Sequence, residues 1–95
     1  MKNAEIAAVL IDIAEMLKLK KENIFKIRAY QKVARAIGEL PAEVAQLAAE
    51  ERLKEIPGAG EAITRKITEL VTTGKLDYYE RLKAELSETE KSAKV

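Results

Sequence analysis

The 95-residue chain predicts an all-α fold, a compact domain of four to five helices. Three observations carry this reading. Apolar residues recur at three- and four-residue spacing along most of the chain, as one face of a helix requires. The β-branched residues follow that same spacing and never alternate, so no strand pattern appears. Glycine and proline, which punctuate local structure, fall where the periodic segments break off.

The elements follow in order. Asn3 is positioned to cap a first helix with Ile6, Val9, Leu10, Ile13, Met16 and Leu17 on one face. Lys18 to Glu22 loses the period and suits a connection. Asn23 caps a second helix carrying Ile27, Tyr30, Val33, Ala34 and Ile37 on one side, with Gly38 as its C-terminal stop. Pro41 opens a short third helix that runs through Ala49. A fourth helix begins after Gly60 and ends near Thr73, where Gly74 supplies a left-handed cap. Asp77 to Leu86 forms the last helix and packs through Tyr79, Leu82 and Leu86. Residues 87–95 are polar and aperiodic, and are expected to be a frayed tail or the start of a linker after a domain spanning 1–86.

Composition limits the chemistry. A single domain of this length builds a modest core but no deep enzyme cavity. With no His and no Cys, the commonest zinc sites and any Ser-His or Cys-His catalysis are excluded. Absence of Cys, and of a signal-peptide pattern at the start, sets an expectation of a cytoplasmic protein. No apolar run approaches the ~20 residues that span a bilayer. The acidic residues lack the clustered Asp pattern of a two-metal nucleotidyl transferase.

Net charge is +1, but it is unevenly distributed. Residues 18–35 carry +6 and residues 52–76 carry +2, while residues 1–17 carry −2, residues 36–51 carry −4 and the remainder −1. Basic segments alternate with acidic ones, which suits either a solvated, salt-bridged exterior or a dipolar surface with one anion-binding side.

Leu53-Lys54-Glu55-Ile56-Pro57-Gly58-Ala59-Gly60 is the most informative stretch. A hydrophobic-Pro-Gly-hydrophobic-Gly turn that opens into an amphipathic helix is suited to grip a phosphate backbone. Gly58 and Gly60 allow positive φ and keep Cβ atoms out of the way of an anion. The following helix aims unpaired N–H groups and its positive dipole end at that anion. Residues 53–73 therefore read as a helix-hairpin-helix.

Three segments in register, Phe25-Lys26-Ile27-Arg28-Ala29-Tyr30, the hairpin, and Thr72-Thr73-Gly74-Lys75-Leu76, resemble the N-terminal, lyase-type domain of family X DNA polymerases of the polymerase beta kind. The similarity runs from about Ile6 to Leu82. It implies a sequence-nonspecific DNA-binding domain that holds the 5′ side of gapped or nicked DNA in repair, as part of a polymerase or a relative of one. It also implies a 5′-phosphate pocket at Lys26, Tyr30 and Lys54, and a Schiff-base nucleophile for 5′-deoxyribose-phosphate removal at Lys66. A monovalent cation, Na⁺ or K⁺, is implied at the backbone carbonyls of Lys54, Ile56 and Ala59, with no other cofactor required. This chain departs from the animal lyase at Ala62, Phe25 and Tyr78, which replace a basic residue, a histidine and a lysine, and at Arg65, which replaces an acid.

Read from the residues alone, Lys66 lies about 40° outside the apolar stripe of Ile63, Ile67 and Leu70, at the border of the buried face. Border placement lowers the pKa of a lysine by desolvation, and Lys26 would push it the same way while Glu69 would oppose. Catalysis, phosphate contact without chemistry, and a snorkelling surface lysine all stay open for Lys66. Lys26 and Tyr30, four residues apart, are neighbours on one helix face and suit either a phosphate receiver or a lysine snorkelling over a core tyrosine. Arg28, Lys32 and Arg35 lie on the opposite face. Lys54 and Lys75 are candidate phosphate contacts at the two ends of the hairpin helix, Lys75 serving the helix dipole equally well. Among the aromatics, Phe25, Tyr30 and Tyr78 are available to stack on bases, whereas Tyr79 is assigned to the core. A helical adaptor docking a protein through its acidic third segment is the reading from a different functional class.

Overall fold

A computed structural model describes the backbone of residues 1–94 and the side chains of residues 1–87. The chain forms α1 (Asn3–Leu19), α2 (Ile24–Glu39), α3 (Val44–Ala49), a 3₁₀ turn (Leu53–Glu55), α4 (Glu61–Thr73) and α5 (Asp77–Lys94), with no strand among the described residues. The all-α expectation holds.

Two apolar stripes make the centre. α1 buries Ile6, Leu10, Ile13, Ala14 and Leu17, and α2 buries Ile27, Tyr30, Val33, Ala34 and Ile37. These stripes pack against each other in the most extensive helix pair of the molecule. Val44 and Leu47 of α3, Leu53 and Ile56 before the hairpin, and Ile63, Ile67 and Leu70 of α4 extend the same core. Leu76 and Leu82 bring α5 onto it. Each such aliphatic side chain contributes about 1.5–3 kcal/mol by leaving water. No polar or charged residue is buried among those described, so every described charge stays at the surface.

Several local expectations are corrected. Asn3 lies inside α1 and Lys2 is the N-cap, with the Glu5 carboxylate accepting from the Lys2 N–H at 2.9 Å. The Asn3 side chain instead reaches α3, donating to the Ala42 carbonyl and accepting from the Val44 N–H, both at 2.9 Å. Gly38 does not stop α2, which continues to Glu39. The stop is Leu40, whose extended backbone (φ −68°, ψ 133°) is the conformation a following proline imposes. Pro41 accordingly lies in a bend before α3, which starts at Val44 behind an N-cap at Glu43. The polar segment from Ser87 onward continues α5 to Lys94, whereas Val95 lies outside the described residues. Glu, Lys and Ala are strong helix formers, so loss of an apolar period does not by itself end a helix.

Other expectations are met. The Asn23 side chain accepts from the Phe25 N–H at 2.8 Å and caps α2. Gly74 adopts φ 78° and its N–H donates to the Leu70 carbonyl at 2.8 Å, closing α4. Tyr79 packs against the core while its hydroxyl donates to Asp12 on α1 at 2.6 Å.

Candidate nucleic-acid interface

The hairpin is built by one glycine with positive φ. Gly58 sits at φ 83°, a conformation that costs an L-residue about 1–2 kcal/mol. The Ala59 N–H donates to the Ile56 carbonyl at 3.0 Å and tightens the turn. Gly60 is different. Its φ is −78° with extended ψ, so it serves as the N-cap of α4 and not as a left-handed residue. No side chain caps this end of α4, which leaves its first amides and its positive dipole end directed out of the fold. Nothing lies within 4 Å of where a Gly60 Cβ would stand.

Beside the hairpin is an open cleft of about 440 Å³, whose lining includes Lys26 and Tyr30 of α2, Gly58 and Gly60, and Glu61, Ala62 and Lys66 of α4, with the Glu61 carboxylate paired to Arg65 at 2.9 Å. The structure thus joins Lys26, Tyr30, Lys66 and both hairpin glycines around one space. Lys26 is exposed and Lys66 half-buried, while Tyr30 is only 2% exposed. Burial holds the Lys66 ammonium below the ordinary lysine range; Lys26 adds repulsion in the same direction and Glu69 opposes it. Desolvation therefore outweighs Glu69. Burial, the neighbouring Tyr78 and a hydrogen bond with it raise the Tyr30 hydroxyl well above its usual range, so it stays protonated.

The remaining residues fall elsewhere. Lys54 lines a separate cleft with Glu51, Leu53, Thr64 and Thr68, and is not among the residues around Lys26 and Tyr30. The Thr64 Oγ1 there is buried without a hydrogen-bond partner among the described residues. Lys75 follows Gly74 at the far end of α4, about 20 Å along the helix from the hairpin at 1.5 Å rise per residue. It is held locally by Thr73, whose Oγ1 donates to the Lys75 carbonyl at 2.9 Å. The hairpin thus offers cations at dispersed points beside one compact cleft.

Lys32 and Arg35 lie away from the Lys26 and Tyr30 cleft, on the opposite face of α2. Lys32 lays its aliphatic stem over the hairpin, its Cδ 3.0 Å from where a Gly58 Cβ would be, and with Arg35 and Pro57 it lines a further cleft. Helical periodicity separates the faces of α2 but carries no information on which face receives the hairpin. Phe25 is 74% exposed at the start of α2, beside Lys26, and remains available for stacking. Tyr78 is half-buried and lies parallel to the Tyr30 ring at 6.5 Å between centroids.

As for a cation at the hairpin, the Ile56 carbonyl accepts one hydrogen bond, from Ala59. None of the turn and cap hydrogen bonds among the described residues uses the Lys54 or Ala59 carbonyl. The described residues hold no cluster of three or more acidic side chains that could ligate a metal. No helix among them is long and apolar enough to cross a membrane.

A family model described as a helix-hairpin-helix domain matches residues 1–76.

Proposed function

The chain belongs to the helix-hairpin-helix domain family, whose members generally bind DNA without reading its sequence, and from that premise we propose that it grips the 5′-phosphate side of gapped or nicked DNA in repair. One observation carries this reading: Lys26, the protonated Tyr30 hydroxyl, Lys66 and the glycine hairpin surround one cleft, next to an uncapped helix N-terminus. Phosphate contacts of this kind position a protein on DNA without specifying bases. The motif resemblance, together with this cleft, supports placing the domain in or near a family X DNA polymerase. Lys54 and Lys75 are then outlying contacts to the DNA backbone, away from the terminal phosphate. The motif resemblance adds a monovalent cation at the carbonyls of Lys54, Ile56 and Ala59, which are neutral oxygen donors with capacity left by the turn bonds. A higher thermal midpoint in K⁺ than in a bulky organic cation supports that site, and equal midpoints remove it.

Equilibrium binding to gapped duplexes with and without a 5′-phosphate tests the main reading. Tighter binding to the phosphorylated duplex is expected, and equal affinity refutes it. A second reading, 5′-deoxyribose-phosphate lyase activity, is favoured by the half-buried Lys66 with its depressed pKa, since an imine forms from the neutral amine. Borohydride trapping on DNA bearing a 5′-deoxyribose phosphate should then give a covalent adduct that Lys66→Ala abolishes. No adduct from a protein that binds the same DNA leaves the grip without the chemistry.

A further inference from the structure

Three helices converge on the ring of Tyr78. Lys66 from α4 places Nζ 4.5 Å from the ring centroid, and Lys26 from α2 places Nζ 5.9 Å from the same centroid. The ring is itself held: it lies 9° from parallel with Tyr30, which is buried in the core. Two ammonium groups of different helices are thereby brought to one aromatic ring, within the distance over which the ring quadrupole attracts a cation.

What is missing nearby matters as much. None of the ion pairs among the described residues includes Lys26 or Lys66. Glu69 lies one turn from Lys66 and would be its natural partner. Its carboxylate instead accepts the Asp77 N–H at 2.8 Å, capping the start of α5. A carboxylate at the position of Tyr78 would hold both lysines as well, but it would neutralise them and repel an incoming anion. An aromatic face attracts a cation and leaves its charge available. A lysine there would add a third repulsive charge and hold neither of the others.

We propose that Tyr78 is a positioning residue whose ring gathers Lys26 and Lys66, without neutralising them, to receive a terminal phosphate monoester. The inference rests on the function proposed above and adds its source of selectivity. A monoester dianion presents a second negative charge that a backbone diester lacks, and two gathered ammonium groups exploit that difference. Tyr78 acts through the lysines, and the ring, not its hydroxyl, does the gathering.

The test measures affinity for a gapped duplex carrying a 5′-phosphate or a 5′-hydroxyl, using the whole chain as wild type, Tyr78→Phe and Tyr78→Leu. Circular dichroism first verifies equal helix content. Tyr78→Phe should keep the wild-type preference for the phosphorylated duplex. Tyr78→Leu should lose about tenfold in that preference, with affinity for the 5′-hydroxyl duplex nearly unchanged. NMR of the free protein gives an independent readout: upfield ring-current shifts of the Lys66 side-chain protons should persist in Tyr78→Phe and vanish in Tyr78→Leu. A Tyr78→Leu protein that discriminates like wild type overturns the role of Tyr78 alone. So does one that loses affinity equally for both duplexes, because that reports a structural contribution. If wild type itself ignores the phosphate, the proposed function fails and this role with it, even where the ring-current shifts are as described.

Discussion

Gly58 and Gly60 stand two positions apart in one hairpin under opposite constraints. Gly58 has φ 83°, and a Cβ there would meet the Lys32 stem at 3.0 Å. Gly58→Ala should therefore destabilise the fold by about 1–2 kcal/mol, measured by urea denaturation. At Gly60 the backbone is ordinary and the space around a Cβ is open, but alanine is a poorer N-cap than glycine, so the two effects offset and Gly60→Ala should change stability by less than about 0.5 kcal/mol. On the proposed function, Gly60→Ala should nevertheless weaken DNA binding, because the added methyl would stand between α4 and an approaching phosphate. Undiminished binding by Gly60→Ala would show that DNA does not approach there. Tyr79 offers a residue-scale pH effect. Its hydrogen bond to Asp12, with burial and the acidic charge, pushes its pKa up to about 12 from the usual 10.0. A raised folded pKa means the associated stability is complete below pH 10 and is lost as pH climbs through about 12. Ultraviolet titration should show a late tyrosinate transition that Asp12→Asn moves toward lower pH.

At the scale of elements, the ends of helices are where sequence rules and tertiary structure compete. Asn3 has the residue type of an N-cap and sits at the right place for one, but its side chain spans to α3 and caps that helix across the fold. Asn3→Ala should cost about 1 kcal/mol, as loss of a cap does, and the loss should appear as faster amide exchange at Val44. Protection unchanged at Val44 would remove the staple. α1 ends with Lys21 at φ 58°, a left-handed position usually given to glycine. Lys21→Gly should stabilise the protein by about 0.5–1 kcal/mol in thermal or chemical unfolding, since the relief of left-handed strain exceeds the entropy that glycine adds. Glu69 shows one side chain serving two elements: it is on the exposed face of α4 by periodicity, yet its carboxylate starts α5. Spacing along a helix identifies neighbours one turn away, but it does not reveal that a partner on another helix has already engaged the group.

At the scale of the whole molecule, a net charge of +1 coexists with basic segments at 18–35 and 52–76, so binding should depend on local charge. The logarithm of affinity for duplex DNA should fall linearly with the logarithm of salt concentration. Lys54→Ala and Lys75→Ala should each reduce the slope by about 0.9 if each contacts one phosphate. A slope unchanged in either variant removes that lysine from the interface. The all-α class, the core stripes of α1, α2 and α4, the capping of α2 by Asn23 and the hairpin with its following helix were all legible in the sequence. Each of these is local: it follows from periodicity and from the backbone preferences of Gly, Pro and Asn within a few residues. The sequence also placed Lys66 at the edge of the apolar stripe, and it brought Lys26 and Glu69 into consideration as opposing influences. Which of them prevails was a tertiary matter, because burial depends on what the neighbouring helices cover. Only the fold decided that Lys32 lies over Gly58, that Lys54 turns to another cleft, and that Lys26 and Lys66 meet at Tyr78. A one-dimensional pattern specifies which face of each helix avoids water, while the meeting of side chains from three helices is set by how those faces pack.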